Sequence, residues 1–339
     1  MVEEANFSEV ANLMLSDAIM ESHSFREVEL ALALGANPNG RLTVTVTRNN
    51  VESKKLTPPL IASLLIPDLD WRIADALLRN GADAKYYAEK DASGPIHFAA
   101  ASGSPRTLRA IANAPGVLIN QADERGFTPL IYSVEARRSL NMRVLLDAGA
   151  DPDYGGPQKI LPVIEAVKKN SDVLLSVLFE YNASPDVLDS DHSAPLHYAA
   201  FLDNEFIIKM LVGRHANLEA KNASGQTPLL IACSKDNTQA AMSLIDAKAN
   251  VNAQDLSGNT PLILAVIADN LELCKKLLEE KASPFISDVT NKNALHYAQT
   301  SGNRSLKNLF EGYGRASELK AVARGPAATG TSQRRKLAS

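Results

Sequence analysis

Cysteine and tryptophan are nearly missing from these 339 residues, with two of the first and one of the second. Two thiols, Cys233 and Cys274, cannot build a disulfide framework. Both stand among small apolar residues, so they read as buried free thiols in a reducing compartment. No apolar run approaches the roughly 20 residues that cross a bilayer, so no membrane partner is expected. Residues 1–20 carry acids and asparagine and have no basic start, which argues against a secretion leader. The expected location is the cytoplasm, with the nucleus as the alternative. Charge of one sign is lacking too: 35 Lys and Arg against 39 Asp and Glu leave −4. Such a balance gives the body no footprint for nucleic acid. Catalytic signatures are also missing: no phosphate-cradling glycine loop, paired-histidine metal helix, cysteine pair at ligand spacing or Gly-x-Ser-x-Gly turn. No cofactor, metal or catalytic residue is expected, and the chain does not read as an enzyme.

What is present is a period. Pro129, Pro162, Pro195, Pro228 and Pro261 stand 33 residues apart, and Ala294 takes the same place one step later. Ser133, Ala166, Ala199, Ala232, Ala265 and Ala298 follow at a constant offset, and Pro58 and Pro95 extend the series upstream at slightly longer spacing. A second mark, Ala150, Ala183, Ala216, Ala249 and Ala282, keeps the same step. Two marks in phase define a repeat. Each Thr-Pro pair starts a helix, because threonine accepts from the first turn and proline has no N–H to leave unpaired there. About eight residues on, Gly103, Asn170, Asp203, Asp236, Asp269 or Gly302 suits the left-handed turn that ends it. A second helix follows, with pairs such as Leu145 and Leu146 as its buried stripe. No single unit closes a core, so stability must come from stacking.

Thr128-Pro129-Leu130, Ala194-Pro195-Leu196-His197-Tyr198-Ala199-Ala200, Thr227-Pro228-Leu229, Thr260-Pro261-Leu262 and Leu145-Leu146-Asp147-Ala148-Gly149-Ala150-Asp151 resemble the ankyrin repeat, in phase over residues 5 to 313. The resemblance implies an all-α ankyrin-repeat solenoid of about nine helix-turn-helix units with connecting β-hairpin loops, whose concave side binds protein partners. The reading divides the chain into an N-terminal capping repeat at 1–39, a hairpin-like insertion at 40–55, repeats two to nine at 56–313 and a disordered basic tail at 314–339. The cap ends in Leu34-Gly35-Ala36-Asn37-Pro38-Asn39, and its many acids would solvate the end that has no neighbour. In the insertion, Leu42, Val44 and Val46 alternate with Thr43, Thr45 and Thr47, a strand pattern. That finger reads either as a partner contact or as a neutral elaboration. The tail carries Arg315, Lys320, Arg324, Arg334, Arg335 and Lys336 against Glu318, a net +5. The ninth repeat reads as having a shortened second helix.

His97, His197 and His296 sit in repeats three, six and nine, on the order of 30 Å apart if stacked helices lie about 10 Å from each other. They cannot share a metal, and the reading is that each imidazole bonds neighbouring turn backbone. Trp71 reads as core between repeats. Asn182, His215, Lys248 and Lys281 stand where Gly35, Gly81 and Gly149 stand in other repeats, a left-handed place that costs a non-glycine residue roughly 1 kcal/mol. The unit at Leu161-Pro162 lacks the threonine, and Tyr154-Gly155-Gly156-Pro157 replaces the usual hairpin before it, which marks that joint as the softest or the most specialised. Asn120 and Asn252 resemble the hairpin asparagines that hydroxylases modify in this family, without the acid that precedes them.

Position by position, the resemblance implies that a partner touches Glu124, Arg125, Phe127 and Glu135, then Gln158, Lys168 and Lys169, then Phe201 and Leu202, then Lys235, and then Ile267. Phe127, Phe201, Leu202 and Ile267 are apolar where regular repeats tolerate polar residues, the composition of an interface core. The function that follows is a non-catalytic protein-interaction scaffold: an adaptor, or a targeting or inhibitory subunit. The competing class is an enzyme or small-ligand-binding protein with a site on the solenoid surface.

Overall fold

The computed structural model describes residues 7–48, 51–66, 69–85, 93–102 and 104–312. The basic tail, Gly103 and the tip of the insertion at 49–50 lie outside the described residues. The chain forms two compact units, Met1–Asn217 and Leu218–Ser339.

In the first unit, helices come in pairs: α1 (Phe7–Met20) with α2 (Phe25–Ala33), α3 (Pro59–Leu65) with α4 (Trp71–Arg79), α5 (Pro95–Ala101) with α6 (Pro105–Ala112), α7 (Pro129–Glu135) with α8 (Ser139–Asp147), α9 (Pro162–Lys168) with α10 (Asp172–Glu180), and α11 (Pro195–Phe201) with α12 (Glu205–Gly213). Between the first two pairs, β1 (Leu42–Arg48) and β2 (Val51–Thr57) run antiparallel, with Leu42 opposite Thr57 and Arg48 opposite Val51. Leu42 and Val44 are buried and join the core of α1 to α4. The second unit continues with α13 (Pro228–Ser234) and α14 (Thr238–Asp246), α15 (Pro261–Ile267) and α16 (Leu271–Glu279), then α17 (Ala294–Thr300) and α18 (304–312).

The first helices begin as their residues dictate. The side chains of Thr128, Thr227 and Thr260 accept from the backbone N–H three residues on, and each is followed by a proline that opens the helix. Losing such a cap costs about 1 kcal/mol. Leu161 makes no side-chain cap, as its residue type requires. Inner first helices such as α13 are apolar nearly all round because other helices cover them: α13 packs on α14 and α15, and Leu229, Leu230, Ala232 and Cys233 are fully buried. A buried leucine contributes about 1.5–3 kcal/mol, while the alanines let the backbones approach.

Several details depart from the pattern. Asn170, Asp203, Asp236 and Asp269 do end their helices left-handed, and Arg137 takes the same place in repeat four, but Gly302 does not. There the chain leaves α17 through an extended Ser301, and Asn303 caps the next helix by accepting from Ser305 and Leu306. That second helix, 304–312, is as long as α16, with Leu306 and Phe310 buried, so it is not shortened. The connecting hairpins are tight turns closed by two backbone bonds, such as Asn222 N to Gln226 O at 3.1 Å and Gly225 N to Asn222 O at 2.8 Å. Outside β1 and β2, the one bridge among the described residues joins Ser287 and Asn293. Asn182, His215, Lys248 and Lys281 are left-handed, with φ of 60°, 62°, 72° and 68°.

His97 shows how repeats are tied. Its Nδ1 accepts from Gly94 N at 3.1 Å, which leaves the proton on Nε2 to be donated to Gln121 O, one repeat on, at 2.9 Å. Burial depresses its pKa, against the opposing pull of these backbone bonds and of Asp123. The native state therefore binds fewer protons than the unfolded chain once pH falls below about 6.5, and stability declines from there down to the folded pKa. Urea unfolding at pH 7.5, 6.5 and 5.5 should show this decline. In His97→Asn the decline should flatten, although the variant starts roughly 1–2 kcal/mol weaker for the lost bond; an unchanged slope refutes the assignment. His197 makes the equivalent bond from Ala194 N at 2.9 Å. His296 does not follow them. It is exposed and lies edge-on to Tyr297, and no described repeat comes after it to receive its ring.

Candidate functional site

The hairpins preceding α7, α11, α13, α15 and α17 are each organised by an acid or amide at a fixed place: Asp123, Asp189, Asn222, Asp255 and Asp288. In each, Oδ1 accepts from the backbone N–H groups two and four residues on, as with Arg125 at 3.0 Å and Phe127 at 2.8 Å from Asp123. In three of these repeats the second oxygen accepts from a tyrosine of the following helix, Tyr132, Tyr198 or Tyr297. Burial alone would raise the Asp123 carboxyl, but the bonds from Phe127, Tyr132 and Arg125 together hold it below the usual carboxylate range. Burial and the Asp189 carboxylate raise the Tyr198 phenol, so it stays a donor.

A second column links consecutive tips. Asn120 accepts from Asp151 N at 3.0 Å, Asp153 from Ser184 N at 2.9 Å, and Asp186 from Asn217 N at 2.7 Å. In the second unit Glu219 accepts from Asn250 N and Asn252 from Ser283 N, both at 2.7 Å. Neither column was read from the sequence. Its signal was there, as a polar acceptor recurring every 33 residues, but no apolar pattern accompanies it. Asn120 and Asn252 thus hold their neighbours' backbone through the side-chain oxygen.

On this frame the predicted partner residues fall into small groups. Glu124 and Arg125 are exposed at the tip of repeat four. Phe127 is half-buried instead of exposed: its ring meets Tyr132 edge-on at 6.2 Å and the Arg125 guanidinium at 4.6 Å. Arg125 also bonds Asp123, so tip and helix form one cluster. Gln158, from the next tip, lies against Gly126. Glu135 at the end of α7 pairs with Lys169 after α9 at 2.7 Å. Lys168 pairs with Glu165 at 2.9 Å and reaches over the Tyr198 ring at 4.7 Å. At the end of α11, Phe201 and Leu202 are 52% and 39% exposed. In the second unit Lys235 and Ile267 are exposed at the corresponding turns of repeats seven and eight.

Trp71 was expected in the core and is 39% exposed. It is the first residue of α4, where the longer joint ahead of the helix has placed it, and the Arg106 guanidinium lies over its ring at 5.2 Å. Both thiols are buried, and burial pushes Cys274 up to about 12 and Cys233 higher still, so neither is a nucleophile at neutral pH. Among the described residues no cluster of His, Cys, Asp and Glu could hold a metal ion, and no helix is long and apolar enough to cross a membrane. The arrangement offers paired charges around aromatic and aliphatic surface, which suits contact with another protein.

The comparisons agree with this geometry. The family model described as "Ankyrin repeats (3 copies)" matches residues 163–255, 196–288 and 244–316. No curated protein matches. Among solved structures, the ankyrin repeat domain of Bcl-3, described as a unique member of the IkappaB protein family, aligns with a TM-score of 0.61 at 23% identity. The alignment covers 65% of this chain and 99% of that one. At that identity the likeness is one of fold.

Proposed function

We propose, from the premise that this chain is an ankyrin-repeat protein, that it acts as a non-catalytic scaffold: an adaptor, or a targeting or inhibitory subunit, that holds a protein partner on its hairpin tips and first-helix ends. The observation that carries this reading is the pair Phe201 and Leu202. They are exposed at a turn where repeats four and five place Glu135, Lys168 and Lys169. Large apolar side chains beside neutralised charges form the core and rim of an interface. The chemistry also runs against an enzyme, since His97 gives both ring nitrogens to backbone and the thiols stay protonated.

Affinity capture from cell extract with the intact chain, beside Phe201→Ala/Leu202→Ala, tests it. Both side chains are exposed, so the variant should melt within about 0.5 kcal/mol of the wild type. It should lose at least one specific protein, because truncating a central apolar contact costs about 2 kcal/mol or more of binding. An unchanged set of captured proteins removes this patch from the reading.

A further inference from the structure

The second helices share one solvent-facing position, the second residue of the helix. In repeats seven and eight it holds Gln239 and Glu272, both exposed, and in repeat three Arg106. The fold therefore accepts polar residues there. In repeats four, five and six the same position holds Leu140, Val173 and Phe206, which are 64%, 55% and 59% exposed. Three successive apolar side chains at a place that tolerates polar ones form a row that folding does not require, the mark of a contact surface.

The row begins beside a cleft of about 860 Å³ whose walls include Leu65, Leu69, Trp71 and Phe98, with Arg106 and Arg138 among its lining residues. Asp70 lines the same cleft, but Arg72 holds its carboxylate at 2.8 Å. No carboxylate among the described residues forms an ion pair with Arg106 or Arg138. Across the turns of repeats three to five, Lys168 and Lys169 are taken up by Glu165 and Glu135, which leaves Arg106, Arg137 and Arg138 against Asp172. An apolar strip with a cationic start calls for an occupant that is apolar on one side and anionic on the other.

We propose that this strip docks an acidic amphipathic helix of a partner protein. Its apolar face fills the Trp71 cleft and continues over Leu140, Val173 and Phe206, while its carboxylates meet Arg106 and Arg138. The spacing fits: stacked helices lie about 10 Å apart, and seven residues of helix advance about 10.5 Å. One apolar residue per two turns of the ligand thus meets one repeat. The inference rests on the scaffold reading but not on the Phe201 and Leu202 patch.

The probe is a displayed library of random peptides of about 20 residues, the length of a 30 Å helix, selected on the full chain. Recovered peptides are synthesised and titrated by fluorescence anisotropy against four proteins: wild type, Arg106→Glu/Arg138→Glu, Leu140→Ser/Val173→Ser/Phe206→Ser, and Phe201→Ser/Leu202→Ser. Circular dichroism melts establish that each is folded. The expected class is net acidic, carries apolar residues about seven apart and turns helical on binding. It loses about tenfold or more in affinity with each of the first two variants, weakens as salt rises, and binds the Phe201→Ser/Leu202→Ser chain as it binds wild type. Recovery of no such class, or of neutral or basic peptides only, overturns the proposal. Acidic peptides that respond only to the Phe201→Ser/Leu202→Ser change overturn the strip while leaving the scaffold reading standing.

Discussion

Asn141→Ala is expected to split the unfolding of this protein into two steps and to remove about 3 kcal/mol at the joint of repeats three and four. Asn141 lies fully buried in the first turn of α8. Its side-chain N–H groups are shared among three carbonyls of the preceding repeat, Ala99 at 3.2 Å, Ala100 at 3.0 Å and Ser102 at 2.6 Å. These belong to the last turn of α5 and the residue that ends it, where helical carbonyls have no partner within their own helix. Alanine would remove all three of these bonds at once and leave a cavity; the Ala99 carbonyl keeps the Ser102 hydroxyl at 2.9 Å, so the loss is of the order of one well-made buried hydrogen-bond set, about 3 kcal/mol. The stability of a repeat array is a sum of unit and nearest-neighbour terms, so losing one interface uncouples the repeats on either side. Trp71, the single tryptophan, sits on the N-terminal side of that joint and reports it alone. In urea, the Trp71 fluorescence transition should move to lower concentration than the far-UV circular dichroism transition of the whole chain. Coincident transitions at the wild-type midpoint would contradict the account.

Nothing in the apolar period of the sequence announces Asn141. The pattern gave the helix starts, the period and the alanine columns because those follow from local chemistry repeated in phase: a cap, a proline, a small residue where backbones meet. What it missed depends on side chains from separate places. Phe127 looked exposed because its cover, the Tyr132 ring and the Arg125 guanidinium, lies across the hairpin. Trp71 looked buried because a large aromatic at a helical position is usually core, whereas as the first residue of α4 it is 39% exposed under the Arg106 guanidinium. His296 looked like His97, but what fixes His97 is the carbonyl of Gln121 one repeat further on. For the site, the sequence pointed to the turn carrying Phe201 and Leu202 and overlooked Leu140, Val173 and Phe206. Those three become informative only when Gln239 and Glu272 are seen to occupy the same exposed place.

Gly156→Ala is expected to lower stability by about 2–4 kcal/mol, and Gly213→Ala to raise it by up to about 1 kcal/mol. The sequence left the Tyr154-Gly155-Gly156-Pro157 joint open as either soft or specialised, and the structure makes it tight. Gly156 takes the place that Asp123 holds in the repeat before. Its φ is +66°, and a Cβ there would stand 2.5 Å from the carbonyl oxygen of Gly126, which is backbone and cannot swing away. A left-handed alanine costs roughly 1 kcal/mol, and relieving the collision means parting the tips of repeats four and five, an overpacking cost of about 1–3 kcal/mol. Gly155 is close-packed too, with a Cβ position 2.9 Å from the backbone of Ile160, so the loop has little freedom to absorb the change. Gly213 is the reverse case: it ends α12, has no positive φ and nothing within 4 Å of its Cβ position. There a methyl group only restrains the unfolded chain and favours the helix. Urea midpoints moving in opposite directions for these two substitutions would establish the tip contact as a structural joint. A Gly156→Ala chain as stable as wild type would show that the two tips part without cost.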